Sequence, residues 1–135
     1  MPEIDSELEL ALNFLDHNKD ESLKRLFDIL KIPSISTQEK YSKDCLNAAN
    51  WFVEQLKDIG FDASIRETNG HPMVVAHFEQ EGPHFLFYGH YDVQPIDPIE
   101  LWNHDPFKPK IEKSQSGEII KARGASDDKG QVLTF

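Results

Sequence analysis

Two short apolar runs constrain this chain more than any other feature. Met73 to Phe78 and Phe85 to Tyr88 are nearly continuous apolar stretches bounded by glycine and proline. A half-buried strand alternates apolar with polar residues, whereas a strand covered on both faces does not. Both runs are therefore expected to be central strands, and central strands need helices to cover them. Ile4, Leu8, Ala11, Leu12 and Leu15 keep helical spacing. After a polar break at His17 to Asp20, Leu23, Leu26, Phe27 and Leu30 resume it as far as Pro33. Tyr41, Cys45, Ala48, Phe52, Leu56 and Ile59 mark one further helical face that stops at Gly60. Ser36-Thr37-Gln38-Glu39 before it has the form of a capping box.

The rest of the chain completes an α/β pattern. Phe61, Ala63 and Ile65 alternate with Asp62, Ser64 and Arg66, as in a strand near a sheet edge. Gln94 to Pro109 contains Pro95, Pro98, Pro106 and Pro109 and is expected to be a long, stiffened loop. Lys110 to Lys113 and Glu118 to Ala122 can pair as a hairpin around Ser114-Gln115-Ser116-Gly117. Ser126-Asp127-Asp128 looks like a helix start. The sequence stops at Phe135 with no C-cap, leaving Val132, Leu133 and Phe135 without the rest of an apolar face. The expectation is an incomplete α/β domain: a mixed sheet flanked by helices.

Composition excludes several classes. A length of 135 residues suits one domain or part of one, and 39% hydrophobic with 28% charged residues is far from a disordered chain. A formal net charge of −10 repels phosphate backbones and anionic membranes, so neither nucleic acid nor a membrane is an expected partner. The single cysteine, Cys45, excludes an intrachain disulfide and is read as a small buried apolar group. With an acidic N-terminus and no run of eighteen apolar residues, the expected location is the cytoplasm.

Two stretches can carry chemistry. In Phe87-Tyr88-Gly89-His90-Tyr91-Asp92-Val93, an apolar segment ends in a histidine and, two residues on, an aspartate. Period two puts both on one side, where a carboxylate can hold the second nitrogen of a ligating imidazole. A surface polar couple has the same spacing. In Arg123-Gly124-Ala125-Ser126-Asp127-Asp128-Lys129-Gly130, small residues flank two adjacent carboxylates, whose repulsion a divalent cation relieves most strongly. Asp128 as a helix N-cap beside a solvated Asp127 is the plainer alternative. Both stretches fall where a strand gives way to a loop or helix, the ligand-binding edge of an open α/β sheet.

Taken in order, Gly89-His90-Tyr91-Asp92-Val93-Gln94-Pro95, Leu101-Trp102 with Asp105-Pro106-Phe107, and Arg123 to Gln131 resemble the signature of a known family. It is the zinc aminopeptidase, carboxypeptidase and deacylase family that includes carnosine dipeptidase, acetylornithine deacetylase and succinyl-diaminopimelate desuccinylase. Ile32-Pro33-Ser34-Ile35-Ser36 is similar to the family's opening, and Gln94-Pro95 points to its dipeptidase branch. Ala122 departs from the pattern, standing where relatives usually carry glycine.

The resemblance implies that His90 binds one metal and that Asp127 bridges two. It places Asp92 among the catalytic residues, just outside the ligands and steering His90. The implied cofactor is Zn2+, two per complete active site, with Mn2+ or Co2+ suited to the same ligands. Two zinc ions sharing a water would hydrolyse a dipeptide or small N-acyl amino acid. A cis peptide is implied between Asp127 and Asp128, expected only in the metal-bound, complete protein. Residues 1–135 would be the N-terminal portion of the catalytic domain. The dimerisation domain, the C-terminal catalytic part, the general base and the remaining ligands would lie beyond residue 135, and homodimers are compatible with full-length relatives. By itself the chain is expected to be inactive. The alternatives are a truncated, non-catalytic fragment and a metal-binding interaction module. His17, His71, His77, His84 and His104 match no ligand of the pattern and are read as surface or core residues, His77 as a core histidine. Trp51 and Trp102 are read as packing residues.

Overall fold

The computed structural model describes residues 6–134. Two helices, α1 (Ser6–His17) and α2 (Lys19–Leu30), meet at Asn18, where the polar break in the apolar pattern falls. No residue of α1 is buried, so its apolar stripe stays open to solvent. A 3-10 turn at Glu39–Tyr41 leads into α3 (Ser42–Asp58). This helix buries Cys45, Ala48, Ala49 and Phe52 along the expected face and stops where Gly60 takes φ +95°. Gln38 and Tyr41 precede the 3-10 turn and α3 without any side-chain cap, so the expected capping box does not form.

Helix α3 packs over an antiparallel pair, β1 (Asp62–Arg66) and β2 (Met73–His77), in which Ala63 faces Ala76 and Ile65 faces Val74. A second antiparallel pair, β3 (Lys110–Ser114) and β4 (Gly117–Lys121), closes on a turn at Gln115-Ser116. A last short helix, α4 (Lys129–Val132), packs against α2. The core gathers Ile29, Ala48 and Phe52 with Leu26, Ile32, Trp51, Val74, Tyr91, Val132 and Leu133 around them. Full burial of a side chain the size of Ile29 contributes about 1.5–3 kcal/mol.

The α/β character stands, and three details differ. Among the described residues the strands form two separate antiparallel pairs, with one parallel bridge between Ile35 and Val93, rather than a continuous mixed sheet. β2 alternates between exposed and half-buried positions because α3 covers only one of its faces, so it is not a doubly covered strand. Phe85 to Tyr88 form no strand, and Phe85 and Leu86 are 90% and 99% exposed. An extended apolar segment becomes a central strand only when neighbours take up its backbone hydrogen bonds, and none of the described strands pairs with this one. His77, expected in the core, is exposed because it lies on the face of β2 that α3 does not cover. Among the described residues no helix is long and apolar enough to cross a membrane.

Candidate metal centre

Residues 90 to 93 run extended beside the Ser34–Ser36 segment. The Val93 amide donates to the Ser34 carbonyl at 2.9 Å, and the Ser34 hydroxyl donates to the Tyr91 carbonyl at 2.7 Å. Tyr91 packs against the core and Val93 is 2% exposed, so alternation turns His90 and Asp92 to the opposite side together. The period-two reading of these residues is met, although among the described residues the segment carries only the bridge to Ile35 and no ladder.

On that side His90 Nδ1 lies 2.9 Å from Asp92 Oδ1 and 3.1 Å from the Asp92 carbonyl oxygen. Both are acceptors, so the Nδ1 proton is held there and Nε2 is left to present its lone pair. Nε2 points at Asp127 Oδ1, 3.1 Å away. A nitrogen lone pair and a carboxylate oxygen at this distance repel unless something positive lies between them, either a proton or a metal ion. Two donors on one tetrahedral zinc, each about 2.0–2.1 Å from it, stand about 3.3 Å apart, so this pair suits a shared ion. Asp127 is three-quarters exposed, leaving its carboxylate accessible. Burial disfavours the charged imidazole, but the Asp92 carboxylate, its hydrogen bonds and Asp127 outweigh that and raise the His90 pKa above 6.5.

Asp128 makes no side-chain cap for α4. Its Oδ2 instead accepts the His90 amide at 3.1 Å, tying the two motif stretches together. The Asp127–Asp128 peptide is cis in this 135-residue chain, which corrects its restriction to the complete protein. Arg123 Nη2 donates to the Pro95 carbonyl at 3.0 Å while its guanidinium lies 5.2 Å from the Trp102 ring centre, and Trp102 Nε1 donates to the Ile96 carbonyl at 3.1 Å. Asp105 shapes its loop by accepting the Phe107 amide at 3.0 Å. An open hollow of about 330 Å³ lies between Trp102, His104 and Ala125 and reaches Ser126, next to Asp127.

Sequence reasoning missed three residues here. Lys129 is fully buried and donates to the Ile29 and Ile32 carbonyls at 3.0 and 2.8 Å, anchoring the Asp127–Asp128 turn to the end of α2. Burial pushes its pKa down to about 8, against the pull of Cys45 and Asp92. Ser34 and Ser36 hold the His90 segment. Only their membership of the matched motifs could have flagged these residues, because no spacing rule reports partners many residues apart. The other histidines serve elsewhere: His71 Nε2 lies 2.7 Å from the Ser36 carbonyl oxygen, His104 Nε2 lies 3.2 Å from that of Lys121, and the exposed His77 and His84 rings lie 5.9 Å apart, tilted by 52°. Among the described residues no group of three or more His, Cys, Asp or Glu is placed to hold a metal.

Residues 86–135 match the model of peptidase family M20/M25/M40. The chain is 30% identical to the Cys-Gly metallodipeptidase DUG1 of Candida albicans, over 93% of its own length and 29% of the relative's. It is 38% identical to succinyl-diaminopimelate desuccinylase of Alkalilimnicola ehrlichii over 62% of its length and 21% of the relative's. The solved structure of the Saccharomyces cerevisiae di-peptidase Dug1p superposes with TM-score 0.77 at 30% identity, over 89% of this chain and 28% of that one. Human carnosine dipeptidase 1 shares the fold at TM-score 0.78 and 24% identity, over 96% of this chain and 29% of that one. The chain thus spans under a third of the length of these relatives. Residues 86–135 are thus a peptidase family M20/M25/M40 segment, and the chain resembles these dipeptidases in sequence and fold along most of its length.

Proposed function

We propose that the protein is a metal-dependent hydrolase that cleaves the peptide or amide bond of a dipeptide or a small N-acyl amino acid. One observation carries the reading: His90 is held through Nδ1 by Asp92 and turned through Nε2 toward Asp127 at 3.1 Å, on the segment that matches the family. His90 and Asp127 would be the metal ligands this chain contributes, His90 to one ion and Asp127 shared between two. Asp92 steers His90 by keeping the imidazole proton on Nδ1. When bound, two zinc ions supply Lewis-acid polarisation of the scissile carbonyl and a water acidified toward neutrality. Mn2+ or Co2+ suits the same donors.

A dipeptide substrate is favoured by the metallodipeptidase relative and by Gln94-Pro95, and an N-acyl amino acid by the desuccinylase relative. His90 and Asp127 supply two donors where zinc takes three or four. The segment is accordingly read as the N-terminal portion of a catalytic domain, inactive by itself, with the general base, remaining ligands and dimerisation domain elsewhere in the protein. A cytoplasmic location belongs to the same proposal and rests on the single cysteine.

The test is hydrolysis of Cys-Gly and of an N-succinyl amino acid by the protein that carries this sequence, with chelator and after zinc is restored. Cleavage that chelation abolishes, zinc restores and either His90→Ala or Asp127→Ala removes would support the reading. Cleavage indifferent to all of these would refute it. Zinc binding with neither substrate cleaved would favour the interaction module instead.

A further inference from the structure

The Ser36 hydroxyl is not used by the helix that follows it. Ser36 heads the Ser36-Thr37-Gln38-Glu39 stretch, yet α3 opens only at Ser42 without a side-chain cap. The hydroxyl donates instead to Oδ2 of Asp92, the carboxylate whose other oxygen holds His90 Nδ1 at 2.9 Å. Ser36, Asp92 and His90 therefore form one hydrogen-bonded line, whose far end, Nε2, faces Asp127 Oδ1 at 3.1 Å.

A carboxylate gripped at one oxygen still turns about its Cβ–Cγ bond, where rotamer wells are broad. A donor on the second oxygen removes that freedom. Ser36 can act as a fixed post because its own backbone is tied on both sides. His71 Nε2 engages its carbonyl at 2.7 Å, the adjoining Ile35 bridges to Val93, and Ser34 binds residues 91 and 93. Ser36 is only half-buried and outside the core cluster, so loss of its hydroxyl opens no apolar cavity.

We propose that Ser36 is a positioning residue of the metal centre, setting the Asp92 carboxylate and through it the His90 ring. The proposal rests on His90 and Asp127 being metal ligands. Removing groups that orient a ligating histidine typically weakens metal binding about 10–100-fold, and Ser36 acts one bond further out, so the lower end applies.

The experiment measures Zn2+ affinity by chelator competition in the whole protein for wild type, Ser36→Ala, Asp92→Ala, their double variant and His90→Ala. Thermal unfolding of each metal-free protein is followed alongside. The expected result is about tenfold weaker zinc binding in Ser36→Ala with an unchanged unfolding midpoint, and no further loss when Ser36→Ala is added to Asp92→Ala. Wild-type affinity in Ser36→Ala, with zinc lost in His90→Ala, would overturn the role of Ser36 and leave the site reading standing. Additive losses in the double variant would overturn it too, since Ser36 would then act other than through Asp92. Wild-type affinity in His90→Ala would sink the site reading itself.

Discussion

Replacing Lys129 by methionine tests how the Asp127–Asp128 turn is anchored. The ammonium sits fully buried with a pKa of about 8, held down by burial from an ordinary 10.5. Between these two values the unfolded chain keeps a proton that the folded chain has released. Unfolding then takes up a proton, so raising the pH through this window stabilises the fold. The 2.5-unit gap is worth about 3 kcal/mol at roughly 1.36 kcal/mol per unit, and below about pH 8 the same amount is a standing cost. Cys45 and Tyr91 act in the opposite direction. Burial raises both, Tyr91 to about 12, so the folded state holds their protons longer and loses stability at high pH. The difference between wild type and Lys129→Met cancels Tyr91 and leaves the lysine as the main contribution, with a smaller one from Cys45, whose thiol the lysine charge pulls down. The substitution strands neither carbonyl, because Ile29 O also accepts the Ile32 amide and Ile32 O the Ser34 amide. Urea unfolding of the metal-free proteins between about pH 7.5 and 10.5 should show wild type gaining about 3 kcal/mol on the variant. Parallel stability curves would refute the reasoning, since the buried amine would then titrate as it does in the unfolded chain.

Two further outcomes follow from the same geometry. A Cβ at Gly130 would lie 2.1 Å from the Ala125 carbonyl oxygen, a backbone atom that cannot step aside. Gly130→Ala should therefore lose about 1–3 kcal/mol in thermal or chemical unfolding and weaken zinc binding by displacing Asp127. Because a proton competes with metal at His90, whose pKa is raised, zinc affinity titrated between about pH 5.5 and 8 should fall about tenfold per unit below that pKa. An affinity independent of pH in that range would remove His90 from the ligand set.

Local patterns were legible because they depend on residues close in sequence. The α3 face from Cys45 to Phe52, the stop at Gly60, the hairpin closing at Gln115-Ser116 and the shared orientation of His90 and Asp92 all follow from period 3.6, period 2 or turn chemistry. The same reasoning failed where a segment's state depends on its neighbours. Phe85 to Tyr88 read as a central strand, but strand formation is a property of pairs, and this run belongs to neither of the two described antiparallel pairs and lies exposed. Ser36 read as a helix cap, but the Asp92 carboxylate accepts its hydrogen bond in place of an α3 amide.

The sequence by itself determined the residue chemistry: an imidazole two places from a carboxylate, a pair of adjacent acids among small residues, an α/β pattern, and a formal net charge of −10. Only the tertiary structure decided that these stretches meet. It set Nε2 of His90 3.1 Å from Asp127, carried the Asp128 carboxylate to the His90 amide, tied the adjoining Lys129 to the distant end of α2, and brought Ser36 to the Asp92 carboxylate. The reason is physical. Periodicity specifies which way a side chain faces along its own element, whereas contacts across the chain are specified by how the elements bury one another's surfaces.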